Sequence, residues 1–278
     1  MAGVSDLPPT SSRRQSRKAP GIGLREASLS YQGKVVFENL NLDLPAGRLT
    51  CLLGPSGVGK SSLLRYIAGL SGSDSESTVS GHLEFGDSES GTSGIAYLAQ
   101  QDLLLPWLNV LDNVMLGSRL RGETADRDRA MDLLARVGLA GQEKQRPVQL
   151  SGGMRQRVAL ARTLMEDRPV VLMDEPFSAL DAITRYELQH LASSLLAGKT
   201  TLLVTHDPLE ALRIGHRLLL LTGSPARITE SIDPPDAPLR DVATPATAAL
   251  QATIMRRLTE ARRIATAGSD EPRRQVPE

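Results

Sequence analysis

One short segment limits the folds open to this chain more than any other. Residues 54–61 read GPSGVGKS and satisfy the pattern G-x-x-x-x-G-K-[ST]. The apolar run LTCLL precedes the segment, and SSLLRYIAGL follows it with the apolar spacing of a helix. A glycine-rich turn between a strand and a helix is typical of loops that bind nucleotide phosphates. The alternative is a plain glycine turn before a surface lysine, and the flanking strand and helix argue against it.

Each part of this loop has an expected task. Glycines let successive backbone N–H groups converge on phosphate oxygens, and the following helix points its positive end at them. Lys60 supplies a mobile charge to the β- and γ-phosphates, and the Ser61 hydroxyl is a ligand for Mg²⁺. The predicted nucleotide-binding residues of the loop are Gly54, Pro55, Ser56, Gly57, Val58, Gly59, Lys60, Ser61 and Ser62.

A second run, PVVLMDEP, stays apolar until it reaches Asp174 and Glu175. This pattern is typical of a central parallel strand whose carboxyl end carries function. One carboxylate at such a strand end can hold Mg²⁺, and its neighbour can polarise an attacking water. An isolated Asp-Glu pair at the end of a strand is usually just exposed to solvent, but beside a phosphate loop it predicts nucleotide hydrolysis. Kinases, GTPases and recombinases remain open at this point.

The string LSGGM at residues 150–154 narrows these alternatives. Ser151 could be a plain helix N-cap followed by two flexible glycines. A serine hydroxyl and a fan of free N–H groups at a helix start also form an anion site, separate from the first one. Two phosphate sites in one chain predict a nucleotide held between two copies.

Length and composition set the outer limits. The 278 residues suffice for one large domain, or for a domain with a small appendage. Lys plus Arg and Asp plus Glu are equal at 32 each, so no overall charge attracts nucleic acid, and we expect no nucleic-acid partner. The single cysteine, Cys51, lies in an apolar run and is expected to be buried. No apolar stretch approaches the roughly 20 residues that span a bilayer.

The remaining chain divides into recognisable parts. Strand patterns alternate with helix patterns, which predicts an α/β sheet. Residues 71–94 indicate an exposed loop around one short strand, and residues 124–137 an amphipathic helix. Residues 1–20 are expected to be a disordered tail without the apolar core of a secretory signal. The basic stretch near the C-terminus could be a docking helix, a membrane-surface helix or a solvated end, and we expect the last.

Six motifs in chain order resemble those of the ATP-binding subunits of ABC transporters, and the similarity covers residues 24–222. They are Tyr31, the phosphate loop 54–61, Gln100, the LSGGM string 150–154, the strand and acids 170–175, and the run 178–181 with His206. The resemblance implies an α/β fold with a P-loop NTPase (RecA-like) core, a mixed sheet, an inserted helical subdomain and a small antiparallel β subdomain.

The same resemblance implies a domain layout. Residues 1–20 form a disordered tail, residues 21–222 form the ABC ATPase domain, and residues 223–278 form a C-terminal tail that contains a helix. The helical subdomain occupies about residues 101–160.

Roles for single residues also follow from the resemblance. Tyr31 stacks on adenine, Glu175 is the catalytic base and His206 is the γ-phosphate switch. Gln100 senses Mg²⁺ and the attacking water, although the adjacent Gln101 leaves this register open by one residue. The implied catalytic set is Glu175, His206, Gln100 and Lys60, the metal set is Ser61, Gln100 and Asp174, and the nucleotide contacts beyond the phosphate loop are Tyr31, Ser151, Gly152, Gly153 and Asp181.

The resemblance further implies a working cycle and its partners. Two copies close head to tail as an ATP-dependent homodimer, with each ATP between the phosphate loop of one copy and Ser151 of the other. ATP and Mg²⁺ are the cofactors. Motion passes to an integral-membrane permease, which receives solute from a periplasmic binding protein, and the chain sits peripherally on the cytoplasmic face of the inner membrane.

Residues 98–114, LAQQDLLLPWLNVLDNV, contain the single tryptophan, Trp107. In the family, the segment after Gln100 leads into the subdomain that receives the permease. We therefore expect a docking surface near Trp107, because tryptophan anchors and exposed apolar patches mark interfaces. The alternative is that Trp107 belongs to the core of the helical subdomain.

The prediction of the transported solute rests on resemblance alone. Strings such as LLPWLNVLDNV are similar to the importer branch that serves nitrate, sulfonates such as taurine, and thiamine-precursor pyrimidines, with a lean toward the hydroxymethylpyrimidine importers. The alternatives are a non-transport ABC ATPase, a soluble P-loop kinase and a stand-alone regulatory nucleotide-binding module.

Overall fold

We describe the chain from a computed structural model, which covers residues 19–72, 76–86 and 91–267. The predicted tail lies outside these residues except for its last two. Ala19 and Pro20 are buried, and the Thr200 hydroxyl donates a hydrogen bond to the Pro20 carbonyl at 2.6 Å. The packed part of the chain therefore includes two residues that the sequence had placed in the tail.

The described residues form nine strands and eight α-helices. The strands are β1 (Ile22–Tyr31), β2 (Lys34–Leu44), β3 (Leu49–Leu53), β4 (Ser77–Phe85), β5 (Ile95–Leu98), β6 (Val170–Asp174), β7 (Thr200–Val204), β8 (Arg217–Thr222) and β9 (Arg227–Ile232). The helices are α1 (Lys60–Ile67), α2 (Val110–Val114), α3 (Leu116–Leu120), α4 (Arg127–Arg136), α5 (Gly152–Met165), α6 (Ala182–Leu195), α7 (Pro208–Ile214) and α8 (Pro245–Ala267). None of the described helices combines the length and apolarity that a bilayer span requires.

The larger sheet has six strands in the order β5-β6-β7-β3-β8-β9. Its neighbours run parallel, except that β9 pairs antiparallel with β8. Every residue of β3, β6 and β7 is buried, as expected for strands covered on both faces. The predicted mixed sheet is therefore present, and the segments that follow β3, β6 and β7 leave it at the same edge.

The smaller sheet is antiparallel and has the order β2-β1-β4. Its strand β4 is the one strand expected within residues 71–94; it is nine residues long, and eight of them pair with β1, from Ile22↔Phe85 to Tyr31↔Ser77. Most side chains of β4 are exposed, so the strand carries little apolar periodicity. Its backbone pairing with β1, rather than a buried apolar face, holds it in the sheet.

Helices α2 to α5 pack together beyond the sheet edge. The predicted amphipathic helix is confirmed as α4, with Leu134 and Val137 buried and the Asp126 side chain accepting a hydrogen bond from the Arg129 N–H at 2.9 Å. Cys51 is buried in β3, as predicted, and burial raises the pKa of its thiol well above the ordinary value. It therefore behaves as a small core residue.

Helix α8 shows that the expectation of a solvated C-terminal end was wrong. Ile254 is 0% exposed, and Leu250 and Leu258 pack against the same core. The helix contacts α7 and β8, and Arg257 forms an ion pair with Glu230 of β9. Tertiary contacts therefore stabilise a helix that its sequence alone leaves marginal.

The Ile254→Ala variant tests whether α8 is part of the fold. We expect it to lower the free energy of unfolding by about 2–4 kcal/mol, because it leaves a cavity at a fully buried site. The neighbouring Met255→Ala variant is the control, since Met255 is 47% exposed. Urea denaturation of both variants gives the comparison, and equal small effects would show that α8 does not contribute to stability.

Candidate nucleotide-binding site

The predicted phosphate loop, acidic pair and histidine lie at one edge of the larger sheet. Residues 54–59 follow β3, Glu175 follows β6, and His206 follows β7 by two residues. The strands β6, β7 and β3 are successive parallel neighbours, so their carboxyl ends meet. Segments far apart in the sequence therefore come together where a doubly covered parallel sheet binds its ligands.

Backbone shape explains the glycines of the loop. A Cβ at Gly54 would lie 2.3 Å from the Leu221 carbonyl oxygen, too close for any side chain. A Cβ at Gly59 would lie 2.7 Å from the Val36 side chain, and Gly59 has a φ of +112°, which L-residues rarely adopt. The loop thus depends on glycine at both positions, and α1 begins directly after it at Lys60.

Lys60 is buried at the base of the loop, with only 6% of its surface exposed. Its ammonium group donates hydrogen bonds to the carbonyl oxygens of Gly54 at 2.8 Å and Pro55 at 2.9 Å. Burial lowers the pKa of Lys60, and the carboxylates of Glu175 and Asp174 oppose this effect. The loop carbonyls and the acidic pair thus stabilise a positive charge in a place suited to phosphate.

A cleft of about 880 Å³ opens beside the loop, within the size range of pockets for small organic ligands. Tyr31, the loop residues 55–62, Gln100 and Glu175 line it together. The cleft lining includes Gln100 and not Gln101, which favours the predicted register at the glutamine pair. These residues bring an aromatic ring, the phosphate loop and the predicted base onto one cavity.

The sequence analysis missed seven further residues of this cleft, which are Gln32, Lys34, Val35, Val36, Gly223, Ser224 and Ala261. Gly223 and Ser224 follow β8, so the rule that ligands bind at the carboxyl ends of parallel strands could have identified them. Ala261 comes from α8, and no sequence signal indicated that this helix reaches the cleft. The C-terminal region after residue 222 thus contributes part of the site.

Asp174 and Ser61 fit the predicted Mg²⁺ site. Asp174 is 2% exposed, and its Oδ1 atom has no hydrogen-bond partner among the described residues. Burial raises the pKa of Asp174, while a hydrogen bond from the Ser61 hydroxyl opposes that shift. The described residues hold no cluster of three or more His, Cys, Asp or Glu side chains, so nucleotide phosphates would supply part of the coordination of Mg²⁺.

Glu175 and His206 form a direct pair. The His206 Nδ1 atom lies 3.2 Å from Glu175 Oε2, and Glu175 is the more buried of the two, at 17% side-chain exposure against 59%. Glu175 has a φ of +49°, and its N–H donates to the Val204 carbonyl at 2.9 Å. The backbone after β6 is therefore held in an uncommon conformation that presents this carboxylate beside the histidine.

The remaining predicted contacts lie outside this cleft lining. Ser151 caps α5 by accepting a hydrogen bond from the Met154 N–H at 3.2 Å, and both Ser151 and Gly152 are exposed. A Cβ at Gly153 would lie 3.3 Å from the Leu180 side chain, so the LSGGM string adjoins the run 178–181.

Asp181 is exposed and caps α6. Its side chain accepts hydrogen bonds from the N–H groups of Ile183 and Thr184. These bonds lower the pKa of Asp181, and the bond from Thr184 has the larger effect. The predicted nucleotide contacts thus fall on two separate surfaces of one chain.

Known proteins are similar to this chain in sequence. A family model described as ABC transporter matches residues 37–178. An uncharacterized ABC transporter ATP-binding protein of Haemophilus influenzae is 46% identical over 202 residues, which are 72% of this chain and 81% of that protein. Aliphatic sulfonates import ATP-binding protein SsuB 1 of Rhodococcus jostii is 50% identical over 204 residues, covering 73% of this chain and 77% of that protein.

Solved structures support the same fold. A dimeric ATP-binding cassette in a post-hydrolysis state, bound to ADP and Pi, superposes with a TM-score of 0.66 at 30% identity. The match covers 79% of this chain and 99% of that one. The predicted α/β fold, with its P-loop NTPase core and mixed sheet, is confirmed.

The Asp174→Asn variant tests the Mg²⁺ site without relying on turnover. We expect nucleotide affinity in EDTA to stay near that of the original chain, and the tightening by Mg²⁺ to weaken about tenfold, because one charged ligand is lost. Titration of a fluorescent ATP analogue with and without Mg²⁺ measures both quantities. An equal loss in the two conditions would indicate damage to the loop instead.

Proposed function

The chain belongs to the ABC transporter family as an ATP-hydrolysing subunit, and from this premise we propose that it powers the import of an organosulfonate through nucleotide-driven closure of a homodimer. One observation carries the dimeric part of this proposal. The cleft holds one set of nucleotide contacts, whereas Ser151 and Asp181 lie exposed outside the cleft lining. A second copy, placed head to tail, can present its Ser151 to the γ-phosphate in the cleft of the first.

Within the closed site, each side chain has a physical task. Lys60 exchanges its loop carbonyl contacts for phosphate oxygens, and the helix N-terminus of α5 from the second copy adds oriented N–H groups. Ser61, Asp174 and Gln100 would hold Mg²⁺, which would neutralise charge on the phosphates.

Glu175 orients the attacking water and accepts its proton, and His206 contacts the γ-phosphate while held by Glu175. Neither half surrounds the phosphate alone, so hydrolysis requires closure. Tyr31, at the other end of the lining, stacks on the adenine.

A concentration series tests the shared site. We expect the ATPase activity per subunit of the isolated chain to rise steeply with subunit concentration, because each active site needs two copies. The Glu175→Gln variant should bind ATP and lose at least about 100-fold of its turnover, which is the lower range for removal of a general base. Phosphate release measured over a dilution series gives both results, and a specific activity independent of concentration would contradict the dimer.

The proposed docking surface is centred on Trp107, which is 67% exposed, so the alternative of a core tryptophan does not describe this chain. Nearby Leu103 is exposed as well. The buried Asn113 fixes this loop, since its side chain bonds the backbone of Leu105, Leu108 and Asn109 at 2.8–3.3 Å. An apolar anchor on a rigid loop is suited to binding a helix of a membrane permease.

Two arginines of α5 connect this surface to the nucleotide site. Arg162 donates to the carbonyls of Asp102 and Leu103 at 2.7 and 2.8 Å, and Arg155 donates to the Asp102 carboxylate at 3.0 Å. Because Ser151 caps α5, a movement of the LSGGM string would be transmitted along α5 to the docking loop. The peripheral position on the cytoplasmic face of the membrane remains part of the proposal that follows from membership of the family.

The sulfonate assignment is supported by the similarity to the relative from Rhodococcus jostii, which is an aliphatic sulfonates import ATP-binding protein. The cargo itself touches the permease and a periplasmic binding protein, so no residue of this chain contacts it. Nitrate and the hydroxymethylpyrimidine precursor of thiamine are the other cargoes that the test must separate.

Uptake by cells tests docking and cargo together. In a strain deleted for this chain, the original gene should restore uptake of labelled taurine or an alkanesulfonate, and Trp107→Ala should reduce that uptake at least about tenfold because an interface anchor is lost. The purified Trp107→Ala chain should keep its ATPase activity, and Val79→Ala on β4 is the exposed control. Equal loss of ATPase activity and uptake would indicate misfolding, whereas restored uptake of nitrate or hydroxymethylpyrimidine alone would overturn the sulfonate assignment.

A further inference from the structure

A second, smaller cavity lies behind the pair Glu175 and His206. Its volume is about 20 Å³, which is room for one water molecule. Both members of the pair line it, together with Ser178, Arg185 and Glu210. The proposed mechanism gives no task to Arg185 or Glu210, and neither is among the described residues that line the nucleotide cleft.

Two atoms of this cavity's residues are buried and unsatisfied. Arg185 Nε and Glu210 Oε1 have no hydrogen-bond partner among the described residues, and Glu210 is only 5% exposed. The first atom carries a donor proton and the second is an acceptor. A single water between them satisfies both groups, which is the usual role of buried water in proteins.

The other contacts of the two side chains are already fixed. Arg185 donates to the Leu180 carbonyl at 3.0 Å, and its guanidinium lies 3.6 Å from the Asp207 carboxylate. Glu210 Oε2 accepts a hydrogen bond from Gln189 at 3.2 Å, and Gln189 in turn accepts one from Arg213 at 3.1 Å. Arg185 is thereby tied to the run 178–181 through the Leu180 carbonyl, and Glu210, in the first turn of α7, is tied to α6 through Gln189.

We propose that Arg185 and Glu210 hold one water between Nε and Oε1, and that this bridge positions the run 178–181 relative to His206. The two residues are then positioning residues, which act on hydrolysis through Asp181 and His206. The inference rests on the roles given to those two residues in the proposed function. It adds a link, inside one subunit, between the loop that faces the second copy and the loop that contacts the γ-phosphate.

The ionisation of Glu210 controls the strength of this bridge. Burial raises the pKa of Glu210 to about 7. A hydrogen bond with the Thr205 side chain opposes this shift, and the negative charge of Asp207 reinforces it. An ionised carboxylate accepts a stronger hydrogen bond than a protonated one, so the bridge tightens as the pH rises through about 7. The charged or titratable groups around Glu210 are Arg185 from α6, His206 and Asp207 from the loop after β7, Arg213 from α7, Cys51 from β3 and Glu175 across the cavity.

The Glu210→Gln variant of the full chain tests the bridge, because it keeps the shape of the side chain and removes its ionisation. We expect kcat of the original chain to rise between pH 6 and 8, and the variant to lack this rise. The two should match at pH 6 and differ by about threefold to tenfold at pH 8, with KM for ATP unchanged. Glu187→Gln, an exposed change on α6, should follow the original profile.

Arg185→Lys provides the matched second variant, since lysine keeps the positive charge and has no Nε donor. It should lose the same rise in kcat, and the double variant should be no slower than either single one. Parallel pH profiles for Glu210→Gln and the original chain, or losses that add in the double variant, would overturn the bridge and leave Glu210 a structural residue.

Thermal unfolding reports the ionisation independently of turnover. Because the folded-state pKa of Glu210 lies above its ordinary value, the folded chain binds more protons between pH 4.5 and 7, and this contribution to stability is lost as the pH rises through that range. The melting temperature of the original chain should therefore fall relative to Glu210→Gln from pH 5 to 7. A constant difference would contradict the ionisation. Failure of the proposed hydrolysis mechanism would appear separately, as unimpaired turnover in Glu175→Gln.

Discussion

The nucleotide site depends on a buried positive charge at the start of α1. Desolvation of Lys60 is unfavourable, and the chain offsets it with two loop carbonyls at 2.8 and 2.9 Å and with the acidic pair at the end of β6. The same arrangement that makes the charge tolerable also prepares it for phosphate, because phosphate oxygens can replace the carbonyls without moving the lysine far. The order of strands in the sheet, which sets β6 and β3 on either side of β7, provides the geometry.

Sequence reasoning succeeded where the backbone or a short pattern determines the outcome. Gly54 and Gly59 are required by close contacts and, at Gly59, by a positive φ. Strands β3 and β6 are largely apolar, and every residue in them is buried because both of their faces are covered. The register of Gln100 could not be read from the sequence, since Gln101 is chemically identical. The structure favours Gln100 because its side chain, and not that of its neighbour, lies on the cleft.

The features that the sequence analysis missed or predicted only in part share a different cause. The short strand expected within residues 71–94 has mostly exposed side chains, so its full length as β4 is set by its pairing with β1. Helix α8 has a modest apolar face, and contacts with α7 and β8, made by elements distant in sequence, decide that it packs. The small cavity behind Glu175 likewise depends on side chains from α6, α7 and two loops, which no local pattern brings together. Tertiary contacts, rather than local propensity, determine all three features.

The position of Ala261 on the cleft wall changes how the C-terminal region should be regarded. The segment after β9 is attached to the rest of the chain through Ile254 and the Arg257–Glu230 ion pair, and its helix α8 brings Ala261 onto the cleft lining. A substitution at this one position of α8 consequently alters the cleft wall without touching the phosphate loop or the acidic pair.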